Sequence, residues 1–416
     1  MPAFAKWAMP LTSLLATLAK QKDQSNMIDV ILTGMTQQEA VQNYTNQAVT
    51  GITALNDNWY QQDSGLWAGT WWNSANALTT VVEFAILRPN LAADLNITQL
   101  ISNTFVKAQQ TQLKVRARTT SGPDRGIVER EEQQGSGGER AEDETQGLDK
   151  RLFANFLNDF YDDEGWWALA LIRSYDLTEN NAYLDAAVTI FDDMAGGHGG
   201  PCNGGIYWSK DRNYKNAITN ELYLSIAASL ANRRPQQTRF LAAARKQWVW
   251  FQGSGLINEQ NLINDGLDDK CRNNGLQTWS YNQGVILGGL AELYRATGNA
   301  DLLATAKRIA TAALDHLTTG KGGVIVETDR CETKVGHCGT DGQQFKGIFV
   351  RNLRYLADVA PDMDFRASII RSADSIWDHD RSLKKFGAAW DGPFNGATAQ
   401  TQSSALDAIV AAIAIV

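Results

Sequence analysis

Apolar residues recur at helical spacing along most of the chain. In four long segments they return every three or four residues, namely NAITNELYLSIAASLANRR, NQGVILGGLAELYRATG, DLLATAKRIATAALDHL and FKGIFVRNLRYLADVA. Strand-like alternation is confined to short stretches such as GGIYWS and GGVIVE, and the prolines fall between the helical segments or at the amino end. The pattern predicts an all-α fold.

A turn motif repeats between the predicted helices. In each copy a helix ends, a short polar turn follows and a new helix opens, as in SYDLTENNAYLDAA and LYRATGNADLLATA. The equivalent positions Leu184, Leu241, Leu303 and Arg366 are separated by 57, 62 and 63 residues, a period that suits one helical hairpin with a long loop. Six such hairpins predict a single-domain (α/α)6 barrel over residues 1–416, with an open α-solenoid as the alternative.

One interval is longer than the others. Leu95 and Leu184 are 89 residues apart, and the excess falls in residues 119–150, TTSGPDRGIVEREEQQGSGGERAEDETQGLDK. This stretch is charged, rich in Gly and Ser, and almost without large apolar residues. It predicts a disordered surface insertion within the domain.

The composition is that of a globular protein, and it excludes some partners. The chain is 44% hydrophobic and 20% charged, with a net charge of −8 and a pI near 5.2. A nucleic-acid-binding protein needs a basic surface, so we expect no nucleic-acid partner. The final stretch ALDAIVAAIAIV carries Asp407, which favours a core helix over a lipid-anchor signal, and no stable membrane insertion is expected. The first 20 residues fit a signal-peptide remnant, residues added to the chain, or an ordinary helix.

Four cysteines indicate two disulfides. A bond between Cys331 and Cys338 would close a short polar loop, which leaves Cys202 to pair with Cys271. Free thiols and a zinc site built from Cys331, His337 and Cys338 are the alternatives, although the spacing is not that of known zinc motifs. We expect no metal and no cofactor.

The cysteines also bear on where the protein works. Disulfides form in oxidising compartments, and the glycosylation sequons at Asn43 and Asn96 are consistent with secretion. The sequence therefore predicts a secreted or cell-wall protein, and we expect a monomer.

The segment YDDEGWWALALI places two adjacent carboxylates, Asp162 and Asp163, directly before an apolar helix. An acid in the first turn of a helix can act as a cap and complement the helix dipole, so capping is one hypothesis. A third acid at Glu164, and aromatic neighbours that include Trp166 and Trp167, favour a catalytic role instead.

Glycoside cleavage needs two carboxyl groups, one protonated and one ionised. In retaining enzymes the groups lie about 5–5.5 Å apart, and in inverting enzymes they lie farther apart to admit a water molecule. Adjacent residues suit the closer distance, and two such close charges leave one group protonated. The spacing of Asp162 and Asp163 therefore favours a retaining mechanism.

Aromatic and polar residues cluster where the predicted helices begin, in segments such as WAGTWWNSANALT and WSYNQG. Flat rings beside amides and carboxylates suit sugar faces and hydroxyl groups. Each such residue by itself is more often explained by packing or capping, and their recurrence at helix starts is what favours a sugar-binding site. The predicted substrate-binding residues are Trp71, Trp72, Asn73, Asn76, Trp166, Trp208, Asn220, Asp265, Tyr281, Asn282, Gln283, Asp341 and Lys346.

These motifs resemble family 76 of the glycoside hydrolases, the endo-α-1,6-mannanases of bacteria and fungi. The matching segments include WWNSANALT, NFLNDFYDDEGWWALALIRSYD, GGIYWSKDRNYKNAITNELYLSIAASL and FKGIFVRNLRYL, within residues 50–400. The resemblance implies an (α/α)6 barrel that cleaves α-1,6-linked mannan or mannooligosaccharides with retention. It assigns Asp162 as nucleophile and Asp163 as acid/base. The insertion at 119–150 departs from the family pattern.

Two other functions stay open. A related branch of the family comprises fungal cell-wall transglycosidases that act on mannose-containing glycans of lipid-anchored glycoproteins. The third hypothesis is a non-catalytic glycan-binding protein in which the aspartates are helix caps.

Overall fold

The computed structural model describes residues 34–110, 154–320, 323–333 and 338–416. Twelve long helices fill this part of the chain: α1 (Gln37–Trp59), α2 (Trp71–Leu87), α4 (Ile97–Ala108), α5 (Tyr161–Thr178), α6 (Asn181–Ala195), α7 (Ala217–Arg233), α8 (Thr238–Gly253), α9 (Ser280–Thr297), α10 (Ala300–His316), α12 (Phe345–Ala357), α13 (Met363–His379) and α14 (Ala399–Ile415). The predicted insertion at 119–150 and the amino-terminal segment lie outside the described residues.

The remaining elements are short. Helices α3 (Pro89–Ala92) and α11 (Gly339–Gly342) have four residues each. Strands β1 (Tyr60–Gln61) and β2 (Leu66–Trp67) form one antiparallel hairpin, and β3 (Arg381–Ser382) and β4 (Lys385–Phe386) form another.

Six of the helices form a closed inner ring. In ring order α2 packs on α5, α5 on α7, α7 on α9, α9 on α12, α12 on α14, and α14 on α2. The other six long helices lie outside this ring, each packed against inner helices. The contact between α14 and α2 closes the circle, so the predicted (α/α)6 barrel is confirmed and the open solenoid is wrong.

Inner and outer helices differ in burial. Every residue of α7 from Ala217 to Ala231 is buried, whereas the outer helix α10 buries only one face. A helix in the ring has neighbours on both sides and faces the packed axis, so it has little exposed surface. The predicted final core helix is the inner helix α14, and within the described part of the chain no helix is long and apolar enough to cross a membrane.

The turn motif marks the passage from an inner to an outer helix. Leu184, Leu241, Leu303 and Arg366 each occupy the fourth position of an outer helix, in α6, α8, α10 and α13. The sequence period is therefore the period of the barrel.

All long loops lead into the amino ends of inner helices. Because the chain alternates between inner and outer helices, the inner helices run parallel; Gly284 of α9 faces Phe349 of α12, and one turn later Gly288 faces Asn352. Their amino termini therefore share one end of the barrel. The loops 196–216, 254–279, 317–344 and 380–398 cover that end.

Two disulfides tie these loops. Cys202 is bonded to Cys271, which joins loop 196–216 to loop 254–279, and Cys331 is bonded to Cys338 within loop 317–344. Both predicted pairings are confirmed.

Candidate active site

The paired aspartates lie in the first turn of the inner helix α5. Asp162 is half-buried and Asp163 is almost buried, at the loop-covered end of the barrel. Trp166, one turn after Asp162 on the same face of α5, lines the barrel axis. Asp162 therefore stands above the axis, where the helix dipole favours a negative charge.

Asp162 is held by a tryptophan from the loop 196–216. The indole nitrogen Nε1 of Trp208 donates to Oδ2 of Asp162 over 3.0 Å. The loop is fixed in turn, because the amide of Tyr161 donates to the carbonyl of Trp208 and the Trp208 ring packs against Phe160, with centroids 4.8 Å apart.

Asp163 is held from the other side. The side-chain nitrogen of Asn158 donates to Oδ2 of Asp163 over 2.8 Å. The two aspartates therefore contact groups outside the helix, which is not the arrangement that the capping hypothesis predicts. Helix α5 instead begins at Tyr161, after Phe160, whose amide donates to Oδ1 of Asn158.

The third acid, Glu164, is fully buried behind this pair. Its Oε1 accepts from the amide of Asn158 over 2.8 Å and lies 3.1 Å from Nζ of Lys210, which also contacts Asp193 at 2.9 Å. Burial raises the pKa of Glu164 to about 9, although the Lys210 ammonium opposes the rise. Lys210 therefore joins the buried Glu164 of α5 to Asp193 of α6.

Aromatic rings from four inner helices meet beside the aspartates. Trp72 of α2 stacks on Trp166 of α5 with centroids 5.8 Å apart, and Trp166 stacks on Tyr281 of α9 at 6.5 Å. Tyr281 stacks in turn on Phe345 of α12 at 3.9 Å. Trp72 and Tyr281 are partly exposed, as is Asp162. The row therefore presents flat apolar faces at the surface beside Asp162, and we call this surface the cleft.

Carboxylates also lie beside this aromatic row. Asp341 accepts from Nε1 of Trp72 over 3.1 Å, and Asp265 accepts from the hydroxyl of Tyr214 over 2.5 Å. Burial raises the pKa of Tyr281 well above its usual value, and the nearby carboxylates of Asp265 and Asp162 add to the rise. Residues from α5, α9 and two loops therefore converge on one site.

Several predicted sugar contacts occupy buried structural positions instead. Trp71 donates to the carbonyl of Ala108 and packs on Trp167, so its ring fills the space between α2, α4 and α5. The remaining residues of this group are 8% exposed or less: Asn73, bonded to Gln344; Asn76, bonded to Arg351; Asn220, bonded to Ile206; Gln283, bonded to Ile263; Lys346, bonded to Ala388; and Asn282. In each case except Asn282 the polar group is used to join elements of the barrel.

The site brings together the other predicted residues, namely Asp162, Asp163, Trp72, Trp166, Trp208, Asp265, Tyr281 and Asp341. Sequence reasoning missed Asn158, Lys210, Tyr214 and Phe345. Asn158 lies four residues before Asp162, and short polar side chains such as Asn are frequent in turns. This position was the one feature of the sequence that could have indicated Asn158 as part of the site. Nothing local marks Lys210, because its partners come from α5 and α6.

Beyond Trp166 the barrel axis holds a polar cavity of about 390 Å³. Arginines paired with acids line it, and Arg354 and Arg173 both contact Glu83. The cavity lies toward the carboxyl ends of the inner helices, at the opposite end of the axis from the aspartates.

One group of side chains in the described residues has the composition of a metal site, formed by Cys331, Glu332 and Cys338. The two sulfur atoms are bonded to each other, so neither offers a thiolate. His337 of the zinc alternative lies outside the described residues.

The sequence matches the model of glycosyl hydrolase family 76 over residues 146–415. Among relatives, it is 30% identical over 276 residues to mannan endo-1,6-alpha-mannosidase DCW1 of Saccharomyces cerevisiae, covering 60% of this chain and 59% of the relative. It is 27% identical over 230 residues to mannan endo-1,6-alpha-mannosidase DFG5 of Candida albicans, covering 51% and 50%. The chain thus spans only about half the length of such relatives.

Solved structures share the fold. An inactive variant of the α-1,6-mannanase of Salegentibacter sp. HEL1_6, with two consecutive aspartates replaced by alanine and α-1,6-mannotetrose bound, superposes with a TM-score of 0.70 at 20% identity. The match covers 90% of this chain and 99% of that one. Dfg5 of Chaetomium thermophilum in complex with glucosamine gives a TM-score of 0.69 at 19% identity, covering 91% of each chain.

Proposed function

The chain belongs to glycosyl hydrolase family 76, and from this premise we propose that it is a retaining, endo-acting hydrolase of α-1,6-linked mannan backbones. The observation that carries the proposal is the pair Asp162–Asp163 at the amino end of an inner helix, beside the aromatic row. Both carboxylates have partners outside the helix, and Asp162 is partly exposed.

The geometry suits a double displacement. Asp163 gives its proton to the glycosidic oxygen while the carboxylate of Asp162 attacks the anomeric carbon, which breaks the glycosidic bond and forms a glycosyl–enzyme ester. Asp163 then removes a proton from water, the water oxygen attacks the same carbon, and Asp162 leaves as a carboxylate. The N–H of Trp208 stabilises the negative charge on Asp162 before attack and after release.

The cleft suits a linear sugar chain. Trp72 and Tyr281 present partly exposed rings, and Asp265 and Asp341 present carboxylates at the same level. Rings bind the apolar faces of sugars, and carboxylates accept hydroxyl hydrogens. The bound mannotetrose in the Salegentibacter neighbour supports the same substrate class here.

The test is incubation with debranched α-1,6-mannan while the anomer of the first product is followed by NMR. We expect an α-product. Asp162→Asn and Asp163→Asn should each lower kcat on the order of a thousandfold or more, because each removes one of the two carboxyl groups that the mechanism needs.

Asp269→Asn is the matched control, because Asp269 also belongs to an adjacent pair but is exposed in loop 254–279. It should leave the rate unchanged. A β-product, or near-normal turnover by either site variant, would remove the assignment.

Two further outcomes separate the alternatives. If an added mannooligosaccharide acceptor is extended into longer glycans, the enzyme is a transglycosidase on the same site. If mannan binds and no product forms over a long incubation, the chain is a glycan-binding protein.

We also propose that the protein works outside the cell. Two disulfides in the loops support an oxidising compartment. Of the two sequons, Asn96 is exposed, whereas Thr45 of the Asn43 sequon is buried and bonded to Val41. Glycosylation of the secreted protein should therefore be found at Asn96, and peptide mass spectrometry would show it. That the protein is a monomer stays a prediction.

A further inference from the structure

Three hydrogen bonds of Asn158 fix the orientation of its side-chain amide. Its backbone amide donates to Oε1 of Glu164 over 2.8 Å, and its Oδ1 accepts from the amide of Phe160. An amide N–H can only donate, so the oxygen of the Asn158 side chain must face Phe160. The NH₂ group then faces Asp163, whose Oδ2 lies 2.8 Å away.

This orientation restricts the proton of Asp163. The NH₂ group carries hydrogens toward Oδ2, and it cannot accept a hydrogen bond from a proton on that oxygen. When Asp163 is protonated, the proton is therefore placed on Oδ1. In a proton donor, the position of the hydrogen decides whether it reaches the leaving oxygen.

Lys210 keeps Asn158 in place through Glu164. Its Nζ lies 3.1 Å from Oε1 of Glu164, the same oxygen that accepts the Asn158 amide, and 2.9 Å from Asp193 of α6. Its Nζ also lies over the Tyr161 ring, 5.6 Å from the ring centroid. The backbone amide of Lys210 donates to the carbonyl of Asp159, so the loop 196–216 is joined directly to the segment that carries Asn158.

We propose that Asn158, held by Glu164 and Lys210, is a positioning residue that fixes which carboxyl oxygen of Asp163 carries the transferable proton. The inference rests on the proposed function for its catalytic meaning, but the contacts it uses are independent of substrate. Loop 196–216 thus reaches both aspartates, through Trp208 to Asp162 and through Lys210, Glu164 and Asn158 to Asp163.

Several other titratable groups surround this end of α5. Asp162 and Glu164 lie on α5 itself, Asp193 on α6, Glu221 on α7, and Lys210 in loop 196–216, while α2 presents the neutral rings of Trp71 and Trp72. Asn158 is the neutral donor in this group. Its NH₂ group therefore presents hydrogens, and no charge, to Oδ2 of Asp163.

The test compares Asn158→Ala and Asn158→Asp with the wild type in two measurements. The first is kcat/KM on debranched α-1,6-mannan, whose leaving oxygen needs a proton. Both variants should lose about tenfold in kcat/KM, the size expected for one hydrogen bond to a charged group. Asn158→Asp keeps the acceptor for Phe160 and so tests the donor with the turn intact.

The second measurement is kcat/KM on a 2,4-dinitrophenyl α-1,6-mannobioside, whose leaving group departs without a proton. On this substrate both Asn158 variants should match the wild type, and so should Lys210→Met, which we expect to lose less than they do on mannan. Lys246→Met on the exposed face of α8 and Asn180→Ala at the start of α6 are the controls, and neither should change kcat/KM on either substrate.

The outcomes separate the two proposals. Equal losses on the two substrates would show that Asn158 only supports the fold, and would overturn the inference while the proposed function stands. A wild-type protein that cleaves neither substrate would remove the proposed function and, with it, this inference.

Discussion

At the scale of single residues, the two aspartates are neighbours in sequence but are held by different partners. Trp208 reaches Asp162 from 46 residues away, and Asn158 reaches Asp163 from five residues away on the other side. Each carboxylate has a donor of its own. Their chemical difference therefore depends on surroundings rather than on residue type, since both are aspartates.

The contribution of the Trp208 donor can be measured with Trp208→Phe. The phenyl ring keeps the packing against Phe160 but loses the N–H that donates to Asp162. A hydrogen bond to a charged group is worth about 1.5–3 kcal/mol, so kcat should fall by about ten- to a hundredfold.

Steady-state kinetics on debranched mannan would check this prediction, with Trp377→Phe on the outer helix α13 as control. Equal turnover by Trp208→Phe and the control would mean that the indole N–H has no part in catalysis.

At the scale of elements, the inner helices pack closely because small residues lie between them. A Cβ atom on Gly347 of α12 would stand 2.5 Å from Cα of Ser404 on α14, and one on Gly284 of α9 would stand 2.6 Å from Cα of Phe349. Backbone atoms cannot move aside as side chains do. The spacing of the ring, and with it the width of the cleft, therefore depends on these glycines.

Gly347→Ala should destabilise the protein by about 1–3 kcal/mol, as overpacking does elsewhere. The matched control is Gly253→Ala at the end of α8, where a Cβ would meet nothing within 4 Å. That change should be neutral or slightly stabilising, because alanine is the better helix former.

Thermal unfolding of the two variants would measure the difference. A Gly347→Ala protein as stable as the wild type would show that the ring can widen at this seam without cost.

At the scale of the whole molecule, the barrel buries many charged groups. Asp407 of α14 takes two hydrogen bonds from Arg351 of α12 near the axis, at 3.1 and 3.0 Å. Asp380, after α13, is fully buried. Burial raises its pKa to about 7, and the Asp391 carboxylate adds to the rise while Lys346 opposes it.

This burial predicts a stability that falls as pH rises. The folded protein holds the proton of Asp380 up to about pH 7, while the unfolded chain releases it near its usual value. Between these values the folded state binds more protons, so the stabilisation is complete at low pH and is lost as pH rises through 7. The whole loss is about 4 kcal/mol at most.

Asp380→Asn removes the titration and keeps the shape. Its melting temperature should exceed that of the wild type at pH 8, and the difference should shrink toward pH 4.5. Asp315→Asn on the exposed side of α10 is the control, and it should follow the wild type at each pH. A constant difference between Asp380→Asn and wild type across this range would contradict the account.

The candidate site could be predicted only in part from the sequence. The aspartate pair and the aromatic residues at helix starts stand out locally, and eight of the predicted residues do meet at the cleft. Trp71, Asn73 and Gln283 share the same local composition, yet they bond to a neighbouring helix or to the loops that precede the inner helices. A side chain near the start of an inner helix can point toward the barrel axis or toward the adjacent helix. These two directions differ by about 100°, which is the rotation between one residue of an α-helix and the next.

The sequence by itself determined the repeat, the helical class and the place of the paired acids, because helical periodicity and turn residues are local signals. Only the tertiary structure decided that α14 meets α2 to close the ring, that Trp208 and Asn158 hold different aspartates, and which aromatic rings form the cleft. These facts depend on contacts between residues far apart in the chain. Such contacts are set when all the helices pack together around one interior. No single segment of the sequence specifies that packing.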